Sequence, residues 1–154
     1  ASNTVVAHIR KATQGNVSVL NCHPFQYGRW TFAHNGDIPD FERCKEEIEA
    51  EILPTLRRYV LGDTDSERVF FLFLSRLAAL GPLGSRLGIG PVMNALEETV
   101  AIIRRIADTP DAPAAAAGSR VVLTPPLAPW WEASARSGKT RSAKWWVSVI
   151  VGRF

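Results

Sequence analysis

Three short stretches carry residue types that could act together on an amino acid. They are His8-Ile9-Arg10, the junction Asn35-Gly36 that closes the run Trp30-Thr31-Phe32-Ala33-His34, and Gly62-Asp63-Thr64-Asp65-Ser66-Glu67. A guanidinium fixed at the end of a buried strand, as Arg10 would be, suits bidentate gripping of a carboxylate. A carboxylate just inside a helix N-terminus, as Asp65 would be, can bind an ammonium group. Asn35 offers a side-chain amide and Gly36 an unhindered backbone N–H, the parts of an oxyanion hole. Each has a plainer and commoner explanation when taken singly: a structural ion pair for Arg10, helix capping for Asp65, a simple turn for Asn35-Gly36. Together they outline a pocket for the charged groups of an amino acid and for the oxygen of a reacting carbonyl.

Those residues need elements to hold them. Thr4 to Ile9 is β-branched and bounded by polar residues, which predicts a buried strand ending near Arg10. Lys11 to Asn16 reads as a turn. Asn21 to Phe25 reads as an extended loop, because Pro24 turns His23 away from helical geometry. After a turn at Tyr27-Gly28-Arg29, Trp30 to His34 is predicted as a strand. Asn-Gly between strands would signal a hairpin, yet Asp37-Ile38-Pro39-Asp40-Phe41-Glu42 looks like a helix start with Asp37 as N-cap. Phe41, Cys44, Ile48 and Ile52 then recur at helical spacing until Pro54 interrupts or bends the helix. Thr64-Asp65-Ser66-Glu67 is a capping box that opens a helix over 66–80. Its apolar residues surround most of the circumference, so it should be buried on more than one side. Val92 to Ala107 reads as an amphipathic helix with Leu96, Val100, Ile103 and Ile106 on one face.

From Asp108 the character changes. Residues 108–119 form an Ala/Pro linker by composition. In the tail, 120–154, Arg120 to Thr124 and Trp145 to Val151 are candidate strands separated by a stretch without clear periodicity. A chain of 154 residues, 46% hydrophobic and 21% charged, suits one ordinary core. The formal charge of +3 is unevenly spread: in the last thirty residues Arg136, Lys139, Arg141, Lys144 and Arg153 face the single acid Glu132. No apolar run reaches the roughly 20 residues that span a bilayer. Cys22 and Cys44 form neither a metal-ligand pair nor a disulfide framework, which points to a reducing cytoplasm. The opening Ala1-Ser2-Asn3-Thr4 has no secretory leader and suggests a fragment whose start lies upstream.

In order along the chain, His8-Ile9-Arg10-Lys11-Ala12-Thr13-Gln14-Gly15, Asn21-Cys22-His23-Pro24-Phe25, Phe32-Ala33-His34-Asn35-Gly36-Asp37-Ile38 and Thr64-Asp65-Ser66-Glu67 resemble the motifs of class II glutamine amidotransferases. These are N-terminal-nucleophile hydrolases, and the Trp-x-Phe-x-His-Asn-Gly form is most similar to the YafJ-like, γ-glutamyl amidohydrolase branch. The resemblance runs from about Val5 to Leu80. It implies an α+β fold, part of a four-layer αββα sandwich, with 1–107 a partial glutamine amidotransferase domain and 120–154 a poorly assigned tail, readable as a divergent end of the same domain. It implies hydrolysis of the γ-amide of glutamine or a γ-glutamyl compound. Arg10 would hold the α-carboxylate, Asp65 the α-ammonium, Asn35 and Gly36 the oxyanion, and Thr13 would line the cleft. His8, His23 and His34 match motif positions but are read as structural.

The resemblance also implies an N-terminal cysteine whose thiol attacks the amide while its own α-amino group acts as base. That residue is absent from this chain. Cys22 and Cys44 have internal amides in place of a free amine, and both are read as structurally buried. The fragment is therefore expected to be inactive alone. Without the upstream strands its own strands are expected to have unpaired edges, and the helix over 66–80 to lack part of its cover. No cofactor and no metal are expected. The partners expected are a small-molecule glutamine or γ-glutamyl substrate, with a synthase partner or a second copy of the chain open, and neither nucleic acid nor membrane. The competing readings are a non-catalytic amidotransferase-like module that binds a ligand or subunit, and, ranked lower, nucleic-acid binding by the Trp- and Arg/Lys-bearing tail.

Overall fold

Trp30, Phe32 and His34 alternate along one strand, and each meets a different turn of one helix. The computed structural model describes residues 16–107 together with strand segments 120–121, 133–134 and 146–151. That strand is β2 (Trp30–Asn35), and the helix is α3 (Asp65–Leu80). Side chains two apart on a strand share a face. Accordingly Trp30 packs edge-on against Phe73 with ring centroids 6.0 Å apart, Phe32 stacks on Phe70 at 5.1 Å, and His34 reaches Ser66. Thr31 and Ala33, on the other face of the strand, are buried as well.

β2 is the centre of a three-stranded antiparallel sheet in the order β1-β2-β5. β1 (Phe25–Tyr27) pairs Phe25 with Phe32 and Tyr27 with Trp30. The turn between them passes through Gly28 at φ 57°, a left-handed conformation that glycine adopts without a Cβ penalty. The loop expected over 21–25 is present over Cys22 to Pro24, between a 3₁₀ turn, Val19–Asn21, and a strand that starts at Phe25. Burying the Phe25 ring against the core favours the pairing that the short segment alone did not signal.

β5 (Trp146–Val151) lines the other edge of β2, in a register running from Trp30 opposite Val151 to Asn35 opposite Trp146. A separate two-stranded pair joins β3 (Arg120–Val121) to β4 (Ala133–Ser134). β2 therefore has hydrogen-bonded neighbours on both sides. The strand and linker expected at 4–9 and 108–119 lie outside the described residues.

The first helix begins later than expected. α1 (Phe41–Ala50) starts after Asp40, which sits at φ 50° and makes no capping hydrogen bond, while Asp37 lies in the preceding loop. The cause is Ile38, which is fully buried with its N–H given to the Asp65 carboxylate; this holds 36–39 as a loop. Ile52 is buried but lies beyond the helix end, and Pro54 opens a separate short helix, α2 (Pro54–Arg57), at a position where its missing N–H costs nothing.

α3 is buried from Asp65 through Ser75. α4 (Ile89–Ala107) presents Leu96, Ile103 and Ile106 to the core as expected. Thr99 takes the buried place expected for Val100, its hydroxyl donating to the Ala95 carbonyl at 2.7 Å. Glu51, at the end of α1, pairs with both Arg76 of α3 and Arg105 of α4 and ties the three helices together. The mixture of helices with a small sheet is α+β. No helix of the described residues is long and apolar enough to cross a membrane.

Candidate active site

The end of β2 and the start of α3 converge, and Asp65 lies where they meet. Thr64, in extended conformation, caps α3 by accepting from the Glu67 N–H at 3.3 Å, which makes Asp65 the first helical residue. Asp65 is 4% exposed. Its Oδ2 accepts the Ile38 N–H at 2.8 Å, and its Oδ1 accepts the Ser66 N–H at 2.7 Å and the Ser66 hydroxyl at 3.2 Å. Burial pushes the carboxyl up to about 6, opposed by the hydrogen bond from Ile38 and reinforced by the negative charge of nearby Asp37. A buried carboxylate at a helix N-terminus, with one lone-pair site left on its two oxygens, is matched in charge to a single cationic ligand group.

Ser66 connects this carboxylate to the sheet. Its hydroxyl lies 2.9 Å from Nδ1 of His34, which is buried on β2 beside Asn35. Asn35 is the last residue of β2, and half-buried Gly36 follows it into the loop that Asp65 holds through Ile38. The strand end bearing Asn35-Gly36 and the helix start bearing Asp65 are thus joined by two hydrogen-bonded links. Arg10, Thr13, His8 and the side chain of Asn35 lie outside the described residues.

The loop leading into α3 is laced from within. Glu67 does not reach back to Thr64 as a capping box would. Its carboxylate instead accepts the N–H groups of Leu61 and Gly62 at 2.9 and 2.8 Å. Asn21, fully buried, accepts the Asp63 N–H through Oδ1 at 2.8 Å. Arg68 donates to the carbonyls of Gly62 and Thr64 at 2.7 and 3.2 Å and pairs with Glu49 at 2.9 Å. Gly62 must be glycine here, since a Cβ would collide with Asn21 Oδ1 and approach the Leu20 carbonyl to 2.9 Å. These supports were missed in the sequence. Asn21 was visible within its motif but had no assigned role, and no local spacing signals that Arg68 turns inward.

The cysteines divide. Cys44 is buried on α1 with its thiol on the Phe41 carbonyl at 3.4 Å, as expected of a core residue. Cys22 is exposed, a correction to the burial expected for it: the 3₁₀ turn sends Asn21 inward and leaves the next side chain outside, near the Ser18 carbonyl. Both are internal residues, so neither has the free α-amino group of an N-terminal nucleophile.

Residues 1–108 match the model of the family described as Glutamine amidotransferases class-II. The chain belongs to the class-II glutamine amidotransferases. Among similar proteins, the probable glutamine amidotransferase DUG3 of Saccharomyces cerevisiae is 42% identical over 80 residues, 52% of this chain and 22% of that protein. The putative glutamine amidotransferase YafJ of Escherichia coli is 39% identical over 85 residues, 53% of this chain and 30% of that protein. A solved glutamine aminotransferase class-II domain protein from Silicibacter pomeroyi is 33% identical, with a TM-score of 0.44 over 62% of this chain and 42% of that one. This amidotransferase chain spans less than a third of the length of the curated relatives it matches.

Proposed function

We propose that the whole protein hydrolyses the γ-amide of glutamine or of a γ-glutamyl compound through a thioester on an N-terminal cysteine outside these 154 residues. The observation that carries the reading is Asp65: an anionic group buried at a helix start, held by Ile38 and Ser66, and linked to the strand that ends in Asn35-Gly36. Family membership supports glutamine as the substrate class.

In this reading Asp65 receives the α-ammonium and Arg10 the α-carboxylate, with Thr13 lining the cleft. The thiol attacks the side-chain carbonyl carbon, and the α-amino group of the same cysteine takes the thiol proton. The resulting oxyanion is met by the Asn35 amide and the Gly36 N–H, each of which would contribute about 3 kcal/mol to lowering the barrier. Collapse expels ammonia, which carries away the proton, and leaves the γ-glutamyl thioester. Water then attacks the thioester, releasing glutamate and restoring the thiol. In the same reading, residues 1–107 are part of a four-layer αββα sandwich, and the pairing of β5 with β2 favours assigning 120–154 to that domain.

The test is release of glutamate by the protein expressed from its complete reading frame, with Asp65→Ala and Arg10→Ala beside it. Loss of a charge-assisted contact to substrate should raise KM for glutamine by about tenfold to a hundredfold in each variant. An unchanged KM and kcat in both would overturn the assigned clamp.

A further inference from the structure

Ser66 makes an unusual choice for a buried helical serine. The ordinary arrangement is shown by Ser75 of the same helix, whose hydroxyl donates to the Phe71 carbonyl one turn back at 2.8 Å. Ser66 instead turns its hydroxyl across the interface, 2.9 Å from His34 Nδ1 and 3.2 Å from Asp65 Oδ1. A hydroxyl has one hydrogen to give, whereas an ionised carboxylate can only accept. With Asp65 ionised, the Ser66 proton must therefore point at Asp65 Oδ1. The oxygen of Ser66 is then an acceptor, and His34 must supply an Nδ1–H to it. The chain of donors His34 to Ser66 to Asp65 has one direction, set by the charge at its end.

We propose that Ser66, oriented by His34, is a positioning residue that aims the Asp65 carboxylate at the substrate ammonium. This rests on the reading of Asp65 as the ammonium contact. The Ile38 N–H holds one oxygen of Asp65 from the loop side, while Ser66 holds the other from the strand side. Because His34 is the neighbour of Asn35 on β2, the same link keeps the amino-acid clamp in register with the strand end that carries Asn35-Gly36. His34 then has a defined part in the site without moving a proton in the reaction.

The experiment uses the full-length protein and two substrates, glutamine and glutaramate, which is glutamine without its α-amino group. Ser66→Ala should raise KM for glutamine about tenfold, with kcat and the KM for glutaramate unchanged. Ser66→Thr, which restores a hydroxyl, should recover most of the loss. Equal changes with both substrates, or no change with either, would overturn the proposal. A second measurement does not depend on turnover or on a variant that folds. Nitrogen-15 NMR of the wild-type protein at pH 8 should find His34 as the Nδ1–H tautomer, and the Nε2–H tautomer would contradict the donor chain. A wild-type protein that releases no glutamate would count against the proposed function, and the tautomer would still decide the placement of Ser66.

Discussion

At the scale of residues, Asp65 faces opposing demands. Its burial raises its proton affinity, and its proposed ligand requires it ionised. With the folded group near 6 and the unfolded group near the ordinary 3.8, the folded chain holds this proton more tightly between those values. Stability associated with Asp65 is therefore fully present below about pH 4 and is lost as pH rises through about 6, by about 3 kcal/mol in all. Urea unfolding of wild type and Asp65→Asn should show it: the difference in unfolding free energy between them should shift by about 2 kcal/mol from pH 4 to pH 7, always toward a relatively weaker wild type. A constant difference would mean that Asp65 has the same proton affinity in the folded and unfolded chain. Activity should run the other way. kcat/KM for glutamine in the full-length protein should fall as pH drops below about 6, because protonated Asp65 cannot hold the ammonium.

At the scale of elements, α3 joins stability to the site. Phe70 and Phe73 anchor it to β2, and its first turn presents Asp65 and Ser66. Phe70→Ala should cost about 3–5 kcal/mol of stability, read as a lower urea midpoint. Gly62→Ala tests the loop before the helix. The new Cβ would press on Asn21 and the Leu20 carbonyl, and displacing them should destabilise by about 1–3 kcal/mol. A neutral Gly62→Ala would show that this loop can yield.

Much of this level was legible in the sequence. Helical spacing and the Thr64 cap located α3 to within a residue, and alternating aromatics located β2. What misled was commitment of local groups to distant partners. Asp37 looked like an N-cap, but the helix cannot begin there while Ile38 is buried and bonded to Asp65. Glu67 looked like one half of a capping box, yet its carboxylate serves Leu61 and Gly62. Both depend on how separated segments meet, which local propensity does not encode.

At the scale of the whole molecule, the sheet brings the two ends of the described chain together. β5 has weak sequence signals around it, yet it pairs with β2 along the length of the strand that carries His34 and Asn35. The order of motifs was enough to identify the family, because four short patterns in sequence are far more specific than any one of them. The sequence could not say which residues brace the loop before Asp65 and its neighbour Ser66, since Asn21, His34 and Arg68 come from separate places along the chain.

The most direct measurement is the mass of the full-length protein quenched with acid during turnover of glutamine, followed by peptide mapping. The account predicts a γ-glutamyl adduct on a cysteine at the mature N-terminus, with Cys22 and Cys44 unmodified. An adduct on Cys22 or Cys44, or steady release of glutamate with no adduct on any cysteine, would contradict it.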